Sequence, residues 1–357
     1  MNNCTVLITG GCGFIGSNLA VLLKEQYPTY KVVCLDNLKR RGSELNISRL
    51  KERGIEFIHG DIRNKEDLDL NFEPHFIIDA AAEPSVITTN ASALNYVLNT
   101  NLNGTLNTLE LAAKYKSKII FLSTSRIYPI EYLEKIQYYE NDFRFCINDK
   151  QDLPGISING INETFLLNKA RSFYGFTKLA SELILEEYRD SFDLNYVINR
   201  CGVVAGPYQM GKVDQGVVAL WVAKHYWNKD INYIGYGGTG KQVRDVLHIN
   251  DLFNLIDFEI HHFKEVNGKT FNAGGGTKSS TSLLELTNLC QEITGNTIKC
   301  NSIKETRKGD IPIYITDNGL VTKSTNWSPK KEMRDIVADI FLWIQENEKT
   351  LKPILSI

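Results

Sequence analysis

The sequence predicts an α/β fold: a doubly wound parallel sheet with a smaller, interleaved C-terminal α/β domain. Three observations carry this. Short apolar runs alternate with longer amphipathic stretches through the first two-thirds of the chain. The runs are rich in β-branched and aromatic residues and lack strict polar alternation, as strands buried on both faces do. The stretches between them are long enough for crossover helices, which gives right-handed βαβ units. The expected strands are residues 4–9, 31–35, 55–58, 75–79, 118–122 and 194–199, and the clearest helices are 14–26, 96–115 and 176–188.

Two regions break the rhythm. Residues 130–163 are polar, aromatic-rich and weakly periodic, with Pro154-Gly155 and Asn159-Gly160 as turn signals. A loop of that length in a compact domain is expected to serve a site. After Arg200 the pattern becomes irregular, with glycine clusters at 237–240 and 274–276 and helices expected near 282–294 and 332–348. The division expected is a first domain over residues 1–202, to which 246–272 returns, and a second over 203–357.

Composition narrows the function classes. The 357 residues are 43% hydrophobic and 23% charged, an ordinary globular balance. Forty basic against 42 acidic residues leave a net charge of −2, so no global positive field is available for nucleic acid or an anionic membrane. The longest good apolar candidate, residues 217–223, is far short of the roughly 20 residues that span a bilayer. The chain runs into a strand from its start, so no leader is expected. Seven cysteines with no C-x-x-C pair read as reduced, packed thiols and a cytoplasmic location. No metal site is expected: His261 and His262 would diverge on a helix, and His248 and Cys201 read as packed side chains.

Thr9-Gly10-Gly11-Cys12-Gly13-Phe14-Ile15-Gly16 follows the first strand and opens the first helix. Glycines at 10, 13 and 16 allow a tight turn and a close backbone approach to a pyrophosphate, which the helix N-terminus stabilises. Asp36 closes the second strand, where a carboxylate can accept the hydroxyls of an adenosine ribose and repel a 2′-phosphate. NAD is therefore favoured over NADP, with Phe14, Ile15, Asn37 and Arg40 as further contacts. Lys39, Arg40 and Arg41 also read as a solvated basic turn. Asp61 and Ile62 after the third strand suit an adenine edge. Ala80, Ala81 and Ala82 after the fourth leave room for backbone near the cofactor, and alanine runs are also common packing.

Tyr174-Gly175-Phe176-Thr177-Lys178 has Y-x-x-x-K spacing at a helix start. Positions i and i+4 share a face, and an ammonium beside a phenol favours the phenolate, a usable base. Ser123-Thr124-Ser125-Arg126-Ile127-Tyr128 ends the fifth strand, where ligand-facing groups emerge from a parallel sheet and a hydroxyl could hold a substrate oxygen.

Together these features resemble the extended short-chain dehydrogenase/reductase family, the NAD-dependent sugar-nucleotide epimerases and dehydratases. The resemblance covers nearly the whole chain, including Asn101-Leu102-Asn103-Gly104-Thr105, Arg244-Asp245-Val246-Leu247-His248 and Arg307-Lys308-Gly309-Asp310. It implies a Rossmann-type cofactor domain and a substrate domain. Tyr174 is then the acid/base, Lys178 also holds the nicotinamide ribose, Thr124 positions the reacting hydroxyl, and Asn101 lies near the cofactor. Arg244 and Arg307 clamp the diphosphate of a nucleotide sugar, with Ser125, Gln209 and Gln215 as further substrate contacts. NAD is expected to stay bound and be regenerated at each turnover. The assembly is expected to be a homodimer or homotetramer whose four-helix interface uses the 96–115 and 176–188 helices, where Leu109, Leu111, Leu179 and Leu183 could contribute or equally pack on the sheet.

Dehydratases of this family carry Asp-Glu after the threonine, and nucleotide-sugar decarboxylases a Glu two positions after it. Ser125 and Arg126 stand there, so elimination has no obvious base. The remaining chemistry is transient oxidation to a keto-sugar and hydride return to its opposite face. Gly10–Ala20, residues 60–64, Asp214-Gln215-Gly216-Val217 and residues 240–248 most resemble the CDP-paratose/CDP-tyvelose 2-epimerases, which ties the expectation to lipopolysaccharide O-antigen sugars. The alternatives are a UDP-sugar 4-epimerase and a one-way nucleotide-sugar reductase or dehydrogenase. Tyr128-Pro129, Arg200-Cys201-Gly202 and the 130–163 segment depart from the family pattern.

Overall fold

The computed structural model describes residues 3–84, 91–211 and 215–355. Two compact units are built from interleaved segments. The first comprises residues 1–127, 173–200 and 253–271, and the second 128–172, 201–252 and 272–357. The expected division at residue 202 needs correction. Residues 128–172 group with the second unit, and the return to the first begins at 253 rather than 246.

The first unit is built on β1 (Thr5–Thr9), α1 (Phe14–Gln26), β2 (Lys31–Asp36), β3 (Glu56–His59) and β4 (Phe76–Asp79), then α2 (Gly104–Tyr115) and β5 (Lys118–Thr124). It continues through α3 (Phe173–Phe192) and most of β6 (Tyr196–Cys201), α4 (Ile249–His261) and β7 (Thr270–Ala273), whose ends reach into the second unit's segments. The seven strands form one parallel sheet in the order β7-β6-β5-β4-β1-β2-β3. The order reverses between β1 and β4, which pair Val6 with Phe76 and Thr9 with Asp79. In such sheets the crevice at the carboxyl ends of the strands at this switch is where ligands bind.

Leu7, Val33, Leu35, Ile77, Ile119, Phe121 and Ile198 come from alternate positions of five strands and share a core with Leu109 and Leu111 of α2 and Leu185 of α3. On the other face Val6, Ile8, Val32, Cys34, Ile78 and Ile120 are equally buried. Burial on both faces explains the unbroken apolar runs of the sequence. The expected 96–115 helix contains a π-turn at Asn99–Asn103, which joins Ala91–Leu98 to α2.

In the second unit Val203–Ala205, Val243–His248, Ser280–Ser282 and Ile313–Tyr314 form one sheet, and Ile231–Ile234 pairs in parallel with Cys300–Ile303. Helix Leu283–Thr294 starts from a capping box, in which Ser282 Oγ accepts Glu285 N at 3.0 Å and Glu285 accepts Ser282 N at 2.7 Å. The 130–163 segment is not an open loop. It carries the hairpins Tyr138–Glu140/Phe145–Ile147 and Ile156–Ser157/Gly160–Ile161. Within its own unit it is fastened by Phe145 N to Lys241 O at 3.0 Å and by Arg144 to Ser280 Oγ at 2.7 Å. Strands of two or three residues are too short to leave a period in the sequence. Among the described residues, no helix is long and apolar enough to cross a membrane.

One buried carboxyl makes the first unit sensitive to pH. Glu259 of α4 is fully buried and receives Asn199 Nδ2 at 2.9 Å, while its other oxygen has no partner among the described residues. Burial pushes its carboxyl up to about 8. The folded state therefore keeps a proton that the unfolded chain releases above its ordinary value of 4.5. The stabilisation is complete below that value and is lost progressively as pH rises toward 8. At pH 7 the loss is on the order of 3 kcal/mol. Glu259→Gln should therefore raise the melting temperature at pH 7–8 and flatten its dependence on pH between 5 and 8, as read by thermal melts of both proteins across that range.

Candidate functional site

The glycine turn is built around close approaches. Gly10 has φ +65°, and a Cβ there would lie 2.8 Å from the Ala81 Cα. A Cβ on Gly16 would collide with the Gly10 carbonyl oxygen and lie 2.8 Å from the Gly11 Cα. Gly13 N donates to Gly10 O at 3.0 Å, and Gly13 is the N-cap of α1, with no capping side chain and no acidic residue in the first turn. The helix thus presents its first N–H groups, with Phe14 and Ile15 half-buried beside them, as an anion site. Thr9 Oγ1 ties the two switch strands together, donating to Asp79 at 2.7 Å and accepting Ala81 N at 3.3 Å. Ala80 and Ala82, on either side of Ala81, are half-buried.

Asp36 ends β2 half-buried, and its oxygens accept Cys12 N at 3.0 Å and Leu38 N at 2.8 Å. Burial raises its pKa, against the backbone bonds that hold it down. Gly13 supplies a third backbone bond, and a carboxylate has about four lone-pair positions, so capacity for a ribose hydroxyl remains. Asn37 donates to Asp61 at 2.9 Å, and Arg63 forks onto Asp61 at 2.9 and 2.6 Å. Burial alone would raise the Asp61 pKa, but these partners bring it down to about 2. Arg63 also lies 4.8 Å from the Tyr96 ring. Asn37, Asp61 and Arg63 line a cleft of about 300 Å³ together with Lys39, His59 and Gly60. Ile62 turns its side chain into the core against Gly104, and its carbonyl accepts Asn107 Nδ2 at 2.8 Å. Arg40 is half-buried in a turn closed by Ser43 N to Arg40 O at 3.0 Å.

On the other side of the crevice, Thr124 ends β5 with its Oγ1 accepting Arg126 N at 3.2 Å, and Ser125 follows, half-buried. Tyr174 lies in the first turn of α3, and Lys178 lies one turn on. Lys178 is 1% exposed, with its Nζ 4.4 Å from the centre of the Phe121 ring on β5. Burying the ammonium over that ring holds the cation in one place. Asn101 is fully buried in the π-turn. Its Oδ1 accepts Glu83 N at 2.7 Å, and its Nδ2 donates to Glu83 O at 3.1 Å and to Thr177 Oγ1 at 3.2 Å. Thr177 Oγ1 in turn donates to the Tyr174 carbonyl at 2.8 Å. Asn101 therefore braces the turn that carries Tyr174.

The first unit thus brings together the glycine turn, Asp36, Asp61, Asn101, Thr124, Tyr174 and Lys178, and these residues fit a dinucleotide. Sequence reasoning missed Glu182 altogether, read Ser123 only as part of the hydroxyl-rich end of the fifth strand, and noted Arg200 only as a departure from the family pattern. Glu182 carries a readable signal, since it follows Lys178 at helical spacing.

The remaining expected residues lie in the second unit. Arg244 donates to Val243 O and Ile311 O, both at 2.7 Å, and to Asp310 at 3.0 Å. Five N–H donors exceed these three bonds, so capacity for a phosphate remains. Arg307 is exposed in a turn closed by Asp310 N to Arg307 O at 3.1 Å. Gln209 is tied through Nε2 to Val204 O at 2.9 Å, and Gln215 is half-buried ahead of helix Val217–Tyr226. Asp214 lies outside the described residues. Among the described residues, no group of three or more His, Cys, Asp or Glu could hold a metal ion.

The clearance at Gly16 gives a direct check on the turn. Gly16→Ala should leave the fold intact and remove most of the bound dinucleotide, as read by the absorbance and mass of what the denatured protein releases.

Three similarities bear on this arrangement. The CDP-paratose 2-epimerase of Salmonella typhi is 34% identical over 347 residues, which cover 95% of this chain and 98% of that protein. A putative UDP-glucose 4-epimerase of Methanocaldococcus jannaschii is 28% identical, over 97% of this chain and all of that one. The crystal structure of the Thermotoga maritima UDP-glucose 4-epimerase with UDP-glucose superposes with a TM-score of 0.77 at 25% identity, covering 96% of this chain and 99% of that one. Residues 6–274 match the NAD dependent epimerase/dehydratase family. That match takes in the glycine turn, Thr124 and the Tyr174–Lys178 pair alike, so the chain belongs to the NAD dependent epimerase/dehydratase family and its cofactor is NAD.

Proposed function

We propose that this protein is a redox-neutral nucleotide-sugar epimerase acting on a CDP-activated sugar at C2, as the name of its Salmonella relative states for that enzyme. The observation that carries the reading is the pairing of Thr124 with the Tyr174–Lys178 turn, with Ser125 and Arg126 in place of carboxylates. Bound NAD supplies a hydride acceptor and donor. Thr124 holds the reacting hydroxyl by hydrogen bonding, and Tyr174 Oη takes its proton and later returns one. Lys178, one turn along and fixed over Phe121, supplies the positive charge that favours the phenolate. With no acid and base beside Thr124 to remove water, the oxidised sugar is reduced again and leaves as the epimer. Arg244 and Arg307 take the diphosphate, Gln209 and Gln215 contact the rest of the substrate, and NAD stays bound through the cycle.

The same reading assigns a homodimer through α3, where Phe173, Phe176 and Leu183 are about half exposed. Leu109 and Leu111 belong to the core beneath the sheet and are not available to such an interface. A cytoplasmic location accords with seven cysteines that form no disulfide among the described residues.

Incubation with CDP- and UDP-sugars in deuterated solvent tests the chemistry. Epimerisation at C2 of a CDP-sugar with no deuterium at the new stereocentre is expected. Turnover of UDP-sugars at C4 alone would replace the substrate assignment, and solvent deuterium at the epimerised carbon would replace the mechanism. Tyr174→Phe should lower kcat by about 100-fold or more while NAD remains bound, as measured by single-turnover assays alongside cofactor content.

A further inference from the structure

We propose that Glu182, gripped by Arg200 and Ser123, is a positioning residue that fixes the axial register of α3 on β5, and with it the spacing of Tyr174 and Lys178 from Thr124. The inference rests on the epimerase reading. Glu182 is 3% and Arg200 8% exposed. Arg200 Nε and one Nη of its fork reach Glu182 Oε2 at 3.1 and 2.8 Å. Ser123 Oγ donates to Glu182 Oε1 in a short hydrogen bond. One carboxylate thus joins three elements: α3, the penultimate residue of β5 and the end of β6.

The placement follows from two periods. On α3, Lys178, Glu182 and Leu185 fall on the buried face, with Glu182 one turn beyond Lys178 and two beyond Tyr174. On β5, Phe121 and Ser123 share a face and meet Lys178 and Glu182 respectively, while Thr124 follows Ser123 directly at the strand tip. The contacts that set the reacting groups and those that lock the helix are therefore adjacent on both elements.

Apolar packing between α3 and the sheet is non-directional and tolerates sliding. A slip of one helical residue, about 1.5 Å, would break both the guanidinium fork and the serine bond. A displacement of about 1 Å at a reacting centre can cost about 100-fold in rate. Buried ion pairs contribute little to stability when compared with apolar replacements of similar size. What this one supplies that leucine or methionine would not is direction.

The test compares wild type, Glu182→Met/Arg200→Met, Arg200→Lys and Ser123→Ala, each as the full chain with its NAD. The double variant removes both charges together, so no buried ion is left unpaired. It should melt near the wild-type temperature and keep its NAD. Its kcat should fall about 10-fold or more, with KM within about twofold. Ser123→Ala should show the same split with a smaller fall. Arg200→Lys, which keeps the charge but not the fork, should lie between wild type and the double variant. A double variant with wild-type kcat overturns the inference, as does a fall that comes with lost NAD or a lower melting temperature. Should the double variant fail to fold, Ser123→Ala decides by the same criteria. Should the wild type turn over no nucleotide sugar, the epimerase reading fails by itself. Crystal structures of wild type and Ser123→Ala then decide the inference: an altered distance from Tyr174 Oη to Thr124 Oγ1 supports it, and an unchanged distance overturns it.

Discussion

The approach of α1 to the end of β1 leaves no space at Gly16, where any Cβ would enter the Gly10 carbonyl. That contact lets the helix begin directly at the switch between β1 and β4, so its first N–H groups open onto the crevice. Much of the cofactor side is organised around it. Gly10 must pass the Ala81 backbone, and Thr9 spans β1 and β4 through Asp79 and Ala81. Asp36 then receives Cys12 N from the turn and Leu38 N from its own strand end. A carboxylate held in that way is a fixed acceptor at the far end of the cofactor site.

The tyrosine–lysine side solves a different problem, which is to hold the first turns of a helix against a strand. Three fixings act at different heights of α3. Near its start, Asn101 braces the Tyr174 carbonyl through Thr177. In the middle, Lys178 is buried over Phe121. Below it, Glu182 bonds Ser123 and Arg200. The π-turn at Asn99–Asn103 is part of the same design, because it turns a helical residue into a cross-brace. Polar groups this deep are acceptable because each is paired, and their directionality supplies what a sheet–helix interface of leucines lacks.

Charge is handled differently at the two ends of the first unit. Asp61 is kept ionised by Arg63 and Asn37 at a cleft open to solvent. Glu259, buried with an amide partner in Asn199, is driven toward its neutral form. Residue type did not decide either outcome; the company each carboxyl keeps did.

Much of this was legible in the chain alone. Buried parallel strands announce themselves as unbroken apolar runs, so the strands expected at 31–35, 75–79 and 118–122 fall within a residue or two of β2, β4 and β5. The glycine turn, Asp36 and the Y-x-x-x-K spacing are local patterns whose chemistry depends on sequence separation. The tertiary structure decided what depends on contacts between distant segments. It placed 128–172 with the second unit, because hairpins of two or three residues bond to Lys241 and Ser280 and leave no period to read. It made Leu109 and Leu111 core while leaving Leu183 exposed, a choice of helix face that the spacing of leucines leaves open. It also gathered Ser123 and Arg200 around the Glu182 carboxylate. Local periodicity reports that an element has an apolar face, and only the packed chain fixes what covers that face and which polar groups meet there.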